Sequence, residues 1–203
     1  MVKLKNIPGL SALYNKSADS APAHSNSNGA TFISDLGLVD KINLRTSPEN
    51  TAIRSTLKHV VGTDIPTEFN TVNVAGNRSI IWLGPDEWMI VGETGSADDI
   101  IAAIYSAEGG HVAAVDISDA LGILSIKGPH ARDVLAKHCA IDFHPSAFKK
   151  GMCAQSVMAL SGVTVVAKED DEFLIIGRTS FMPYLLDLMK DASLEYGFNY
   201  QPV

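Results

Sequence analysis

The chain has 203 residues, 46% of them hydrophobic and 19% charged, a globular composition that can bury roughly 70% of the unfolded chain's surface. That much apolar material excludes a disordered chain, and no run approaches the ~20 apolar residues needed to span a bilayer. Sixteen Lys and Arg against 23 Asp and Glu leave a net charge of -7, which excludes unselective nucleic-acid binding, because phosphates need a local excess of cations.

Residues 1–29 form the first segment. Ile7, Leu10, Leu13 and Tyr14 are apolar and suggest a peg that docks on a partner or on the fold. Lys3 and Lys5 lack the apolar stretch of a signal peptide behind them. Residues 15–29, Asn-Lys-Ser-Ala-Asp-Ser-Ala-Pro-Ala-His-Ser-Asn-Ser-Asn-Gly, hold no large aliphatic or aromatic side chain. Burial cannot offset the ordering entropy of such a stretch, so it is expected to be a mobile tether.

From residue 30 onward, β-like runs alternate with amphipathic helices. Residues 41–46 predict a strand, and Ser47-Pro48-Glu49 predicts a helix start with Ser47 as N-cap. Ile53, Leu57, Val60 and Val61 share one face of that helix, which Gly62 ends. Strands follow at 70–74, 79–83 and 87–91, joined by the turn sequences Ala75-Gly76-Asn77-Arg78 and Gly84-Pro85-Asp86. Ser96 then caps a helix bearing Ile100, Ile101, Ile104 and Tyr105 at helical spacing.

The second half starts with strands at 111–117 and 121–126, linked by a polar turn at Ser118-Asp119. Gly128-Pro129 opens a helix on which Ala131, Val134, Leu135 and His138 share a face. An irregular stretch, 139–151, leads into strands near 154–160, 163–168 and 173–176, the last two joined at Asp170-Asp171. A helix over 179–196 carries Phe181, Tyr184, Leu185, Leu188, Met189 and Ala192 in one stripe. Paired strands with single helices between them predict an α+β fold, with antiparallel or mixed sheets covered by helices. Two such layers, 30–110 and 111–203, are expected to pack as one unit.

The sequence offers little chemistry of its own. It contains no nucleotide-binding glycine loop, nucleophile elbow, His-Glu-x-x-His or Cys-x-x-Cys. Cys139 and Cys153 cannot build a disulfide framework in a chain of this size and are expected to be reduced and buried, consistent with a cytoplasmic protein. His138, Cys139, His144 and Cys153 have ligand types suited to zinc, but their spacing fits no common zinc pattern. Asp86 and Glu87 are adjacent and point to opposite faces of a strand, so a turn-forming role for Asp86 is preferred over an acid/base pair. Trp82 and Trp88 flank that turn and pack on a core or a partner. Asp116 and Asp119, around Ser118, are the best isolated polar candidates, with a capped turn as the simpler reading. Gly128-Pro129-His130 offers free N–H groups at a helix start, as any helix does. No catalytic, cofactor-binding or metal-binding residue is therefore assigned.

Longer blocks carry a resemblance. Ile80-Ile-Trp-Leu-Gly-Pro-Asp-Glu-Trp-Met-Ile90, Val115-Asp-Ile-Ser-Asp119 and Ile126-Lys-Gly-Pro-His-Ala-Arg-Asp-Val-Leu-Ala136 resemble the gamma subunit of heterotetrameric sarcosine oxidase. So do Asn43-Leu-Arg45, Cys139-Ala-Ile-Asp-Phe-His-Pro145, Gly151-Met-Cys-Ala-Gln155 and Arg178-Thr-Ser-Phe-Met-Pro-Tyr-Leu185. The same blocks are more distantly similar to the folate-binding fold of the glycine-cleavage T-protein. Ser161-Gly-Val-Thr-Val-Val-Ala167 lacks the carboxylate that T-protein-like enzymes carry after a Gly-Gly turn in that region.

The resemblance implies a non-catalytic subunit of a complex that converts sarcosine, O2 and tetrahydrofolate to glycine, H2O2 and 5,10-methylenetetrahydrofolate. It implies alpha, beta and delta subunits as partners, and places FAD, FMN, NAD, tetrahydrofolate and zinc on them. A folate-dependent aminomethyltransferase and a free-standing binding module are the alternatives.

Overall fold

The computed structural model describes residues 11–23 and 30–202. Among these residues, twelve strands and four α-helices occur in the order β1 (Asp19–Ala21), β2 (Thr31–Asp35), β3 (Asp40–Thr46), α1 (Thr51–Val60), β4 (Val72–Ala75), β5 (Arg78–Gly84), β6 (Glu87–Gly92), α2 (Ala97–Ser106), β7 (Val112–Asp116), β8 (Leu121–Lys127), α3 (Ala131–Ala136), β9 (Cys153–Met158), β10 (Ser161–Glu169), β11 (Glu172–Arg178), α4 (Met182–Ser193) and β12 (Phe198–Gln201). The α+β expectation holds. A five-stranded antiparallel sheet runs β4-β5-β6-β3-β7. A seven-stranded sheet runs β1-β12-β2-β8-β11-β10-β9, with β12 and β2 its one parallel pair.

Three apolar clusters fix the layer order. Ile42, Leu44, Trp88 and Ile90 on one face of the smaller sheet pack with Ile53 and Leu57 of α1 and Ile100 and Ile104 of α2. Ile81, Met89 and Val91 on its other face meet Ile123, Cys153, Val166 and Ile176 of the larger sheet. The far face of the larger sheet packs Leu124, Ile126, Val165 and Phe173 against Val134 and Leu135 of α3 and Leu185 and Met189 of α4. The molecule is thus a sandwich of helices, sheet, sheet and helices, with side-chain alternation along each central strand feeding two cores.

The two sheets do not follow the two sequence halves. β7 pairs with β3 across the expected boundary at residue 110, and β2 pairs with β8 and β12. The strands expected to adjoin at Ser118-Asp119 therefore lie in different sheets, and the turn between them carries the chain from one sheet to the other. At another corner Thr71 bridges Met152, and the Cys153 N–H donates to the Asn70 carbonyl at 2.8 Å. The positive φ of Asn70, 59°, lets the chain turn there.

Local differences have identifiable causes. The first helix is capped by Asn50, not Ser47: its side chain accepts from the Ile53 N–H at 3.2 Å and donates to Thr46 Oγ1 at 2.9 Å. Ser47 instead accepts from the Glu49 N–H in the turn before it. At the second helix Asp40 accepts from the Ala97 N–H at 2.8 Å, a tertiary cap that replaces the expected Ser96 side chain. The third helix begins at Ala131 and stops at Ala136, so His138 lies beyond it.

The N-terminal arm also departs from expectation. Ile7 and Leu10 fall outside the described residues. Leu13 is 1% exposed in the α4-side core, whereas Tyr14 is exposed. Residues 19–21, expected in the mobile tether, pair with β12 as β1. A backbone ladder can order a polar stretch that has little to bury, provided a sheet edge is at hand.

Candidate functional site

The Asp116–Asp119 turn is a bracket between the sheets. Asp116 accepts from the Ser118 N–H at 2.9 Å and from its hydroxyl at 2.5 Å. Ser118 Oγ accepts from the Lys41 N–H at 2.9 Å, and Thr179 Oγ1 donates to the Asp119 carbonyl at 2.7 Å. This is the capped turn, tied to β3 on one side and to the entry of α4 on the other.

Beside it lies a charged group that sequence patterning missed. Lys41 is only 1% exposed, and its ammonium donates to the Val39 carbonyl. Burial pushes its pKa down, opposed in part by the charges of Asp40, Asp116, Asp119 and Asp35. Asp35, itself buried, accepts from the Ser11 hydroxyl and from the Gly37 N–H at 3.0 Å. Ser11, Asp35, Gly37, Ser118, Asp119 and Thr179 help to enclose a cavity of about 40 Å³, room for a water molecule and far below the ~300 Å³ of an organic-ligand pocket.

The other candidates separate. Asp86 pairs with Arg45 at 3.2 Å on the surface, and Glu87 accepts from Asn43 Nδ2 at 2.7 Å. Both reach the same face of β3, but each is held by its own partner. Trp88 is buried and donates Nε1–H to the Pro66 carbonyl at 2.9 Å, which makes it a core anchor. Trp82 is half-buried.

Cys139 belongs to the α4-side core and Cys153 to the core between the sheets. His144 binds Ser146 within its own turn. Among the described residues no three His, Cys, Asp or Glu side chains are grouped to hold a metal. Burial pushes the Cys153 thiol up to about 12, with its Sγ 3.3 Å from the Trp82 carbonyl. His130 stacks on Tyr196 at 4.2 Å and lies 3.2 Å from the Asp133 carboxylate.

Gln155 donates Nε2–H to the Leu83 carbonyl at 2.7 Å and so ties β9 to β5. On β10, Thr164 is 9% exposed and Val165 and Val166 are buried. A shallow surface depression of about 500 Å³ near Asn50, Glu108 and His111 has an open, acidic rim.

This four-layer α+β sandwich, with cores on both sides of each sheet, is shared with solved structures of known proteins. A glycine-cleavage-system aminomethyltransferase T from Bartonella henselae superimposes over 95% of this chain and 58% of its own, with a TM-score of 0.64 at 13% identity. The chain belongs to the sarcosine oxidase gamma subunit family, whose model matches residues 45–195. A sarcosine oxidase subunit gamma from an Arthrobacter species is 27% identical over 179 residues, covering 87% of this chain and 86% of the relative. That of Corynebacterium sp. strain P-1 is 28% identical over 180 residues, with 87% and 86% covered. A chain of heterotetrameric sarcosine oxidase from Corynebacterium sp. U-96 shares the fold with a TM-score of 0.74 and 23% identity, over 84% of this chain and 88% of that one.

Proposed function

We propose that this chain is the non-catalytic gamma subunit of a heterotetrameric sarcosine oxidase, with an assembly role beside alpha, beta and delta subunits. The family match over residues 45–195 carries the reading. The complex takes sarcosine, O2 and tetrahydrofolate to glycine, H2O2 and 5,10-methylenetetrahydrofolate. FAD, FMN, NAD, tetrahydrofolate and zinc sit on the other subunits, and the complex is cytoplasmic. No helix among the described residues is long and apolar enough to cross a membrane.

Two features support the assembly role. The polar candidates are spent on turns, caps and ties between sheets, with none converging on a ligand-sized cavity. Large apolar side chains stand in solvent at Phe32, Phe69, Val74, Val157 and Leu160, the last 80% exposed, as expected of a surface that a partner covers. An aminomethyltransferase reading lacks the carboxylate. Tagging the chain in its native cell tests the proposal: flavin-bearing chains should copurify in fixed stoichiometry, and the isolated chain should be colourless and inert toward sarcosine. Amine oxidation by the isolated chain, or its purification as a lone monomer, overturns it.

A further inference from the structure

Residues 11–23 lie in a seat that takes a turn at 12–15 followed by a short strand, Asp19–Ala21. Ser11 donates its hydroxyl to buried Asp35, and its Oγ accepts from the Leu13 N–H at 3.1 Å, which fixes a turn that drives Leu13 into the core. Further along, Lys16 reaches Asp187 of α4 at 3.4 Å. Asp19 pairs with Lys190 of the same helix at 2.9 Å, and that bond holds its carboxyl below the usual range. The Lys190 ammonium also sits 4.7 Å from the centre of the Tyr200 ring on β12, so one lysine joins helix, strand and segment.

The floor of the seat is glycine. A Cβ on Gly197, whose φ is 79°, would stand 2.7 Å from the Ala23 nitrogen and 3.0 Å from the Ala21 carbonyl oxygen. Only a residue without a side chain lets the segment come this close. Beneath the segment runs β12, whose outer edge is taken up by Asp19, Ser20 and Ala21 in register with Tyr200, Asn199 and Phe198.

The other sheet edges are partly closed from within. On β7, the Tyr105 hydroxyl donates to the Ala114 carbonyl at 3.2 Å and accepts from its N–H at 3.1 Å. β9 is met by Asn70 at one end and by Cys139 at the other. The β12 edge is instead closed by a segment that is itself exposed at Asp19 and Ser20 and fastened by one buried side chain.

We propose that the trough between β12 and α4 is a strand-accepting peptide site. It is filled in cis by residues 11–23 and accepts the same sequence in trans when the cis segment is weakened. The ligand is a peptide with a hydroxyl residue for Asp35 and, two positions later in a turn, a leucine for the core, followed by a short strand whose carboxylate meets Lys190. Recognition combines a backbone ladder with a single apolar anchor, the usual division in strand addition.

The test uses the full chain and a fluorescein-labelled peptide of residues 11–23. The peptide should bind the Leu13→Ala chain in a 1:1 ratio and at least tenfold more tightly than the wild-type chain, whose seat is filled. A peptide carrying Leu13→Ala should bind neither. Limited proteolysis should cut within residues 14–23 in the variant and spare the wild type. Should Leu13→Ala fail to fold, the exposed double variant Lys16→Ala, Asp19→Ala weakens the same segment and is read in the same way. Equal binding to wild type and variant overturns the proposal. So does absent binding to a variant whose own segment has become cleavable.

Discussion

Lys41 shows how a strand pattern can mislead at a single position. Lys41, Asn43 and Arg45 alternate with Ile42 and Leu44, so one face of β3 reads as solvent-exposed. That face turns toward the second sheet, and Lys41 is covered while Arg45 reaches water. Since burial lowers its pKa from 10.5, the folded state resists the ammonium that the unfolded chain carries freely. The resulting penalty is complete below the folded pKa and disappears as pH rises to the unfolded value. Lys41→Met should therefore raise stability by about 1 kcal/mol at neutral pH. Its advantage over wild type in urea melts should shrink as pH approaches 10.5. Cys153 gives a second expectation at this scale. With its thiol pushed up to about 12, it should stay unreactive toward a thiol reagent at pH 8 until the chain is unfolded.

At the scale of elements, legibility followed the length and amphipathicity of each piece. The central strands and α4 declare themselves through apolar runs and a buried stripe that includes Leu185, Met189 and Ala192. β1 and β12 do not, because Asp19–Ala21 and Phe198–Gln201 are short and half polar and become strands only through each other and β2. The irregular stretch 139–151 is likewise ordered by contacts invisible in its own composition. Arg132 of α3 donates to the Phe143 carbonyl at 2.7 Å, the Phe148 carbonyl at 2.9 Å and the Asp170 carbonyl at 3.0 Å, with its guanidinium 4.9 Å from the Phe173 ring centre. Arg132→Ala should cost about 3 kcal/mol, since it strands several carbonyls at once. Arg132→Lys should recover only part, because a point charge cannot reproduce the fork; chemical denaturation of both variants measures the difference.

For the whole molecule, the sheets interlock in a way that no local pattern announces. Gly122 and Gly177 face each other across β8 and β11, and a Cβ on either would lie 2.6 Å from Met182 Cγ or 2.7 Å from Leu185 Cδ1. Two missing side chains on neighbouring strands thus let α4 settle close to the larger sheet. The N-terminal segment belongs to the same packing. Removal of residues 1–23, which a purely tethering role would leave without consequence for the chain's own stability, should lower the melting temperature of the isolated chain. Burial of Leu13 alone is worth about 2 kcal/mol. Circular dichroism melts of the full and shortened chains, run in parallel, give the comparison.

The placement of β12 between β1 and β2 also sets an order of events on the ribosome. β2 leaves the tunnel roughly 160 residues before its parallel partner exists, a wait of about 10–30 s at ordinary elongation rates. Every strand of the smaller sheet lies between Asp40 and Asp116, so that layer can close while the larger sheet still lacks most of its strands. Chains cut short in the turn after β7 should then protect the amides of Ile42, Ile80 and Ile90 from exchange while that of Ile33 remains open. Until β8 follows, roughly 90 residues after β2, Phe32 and Ile33 are an unpaired apolar stretch, the natural place for a holding chaperone to bind during synthesis.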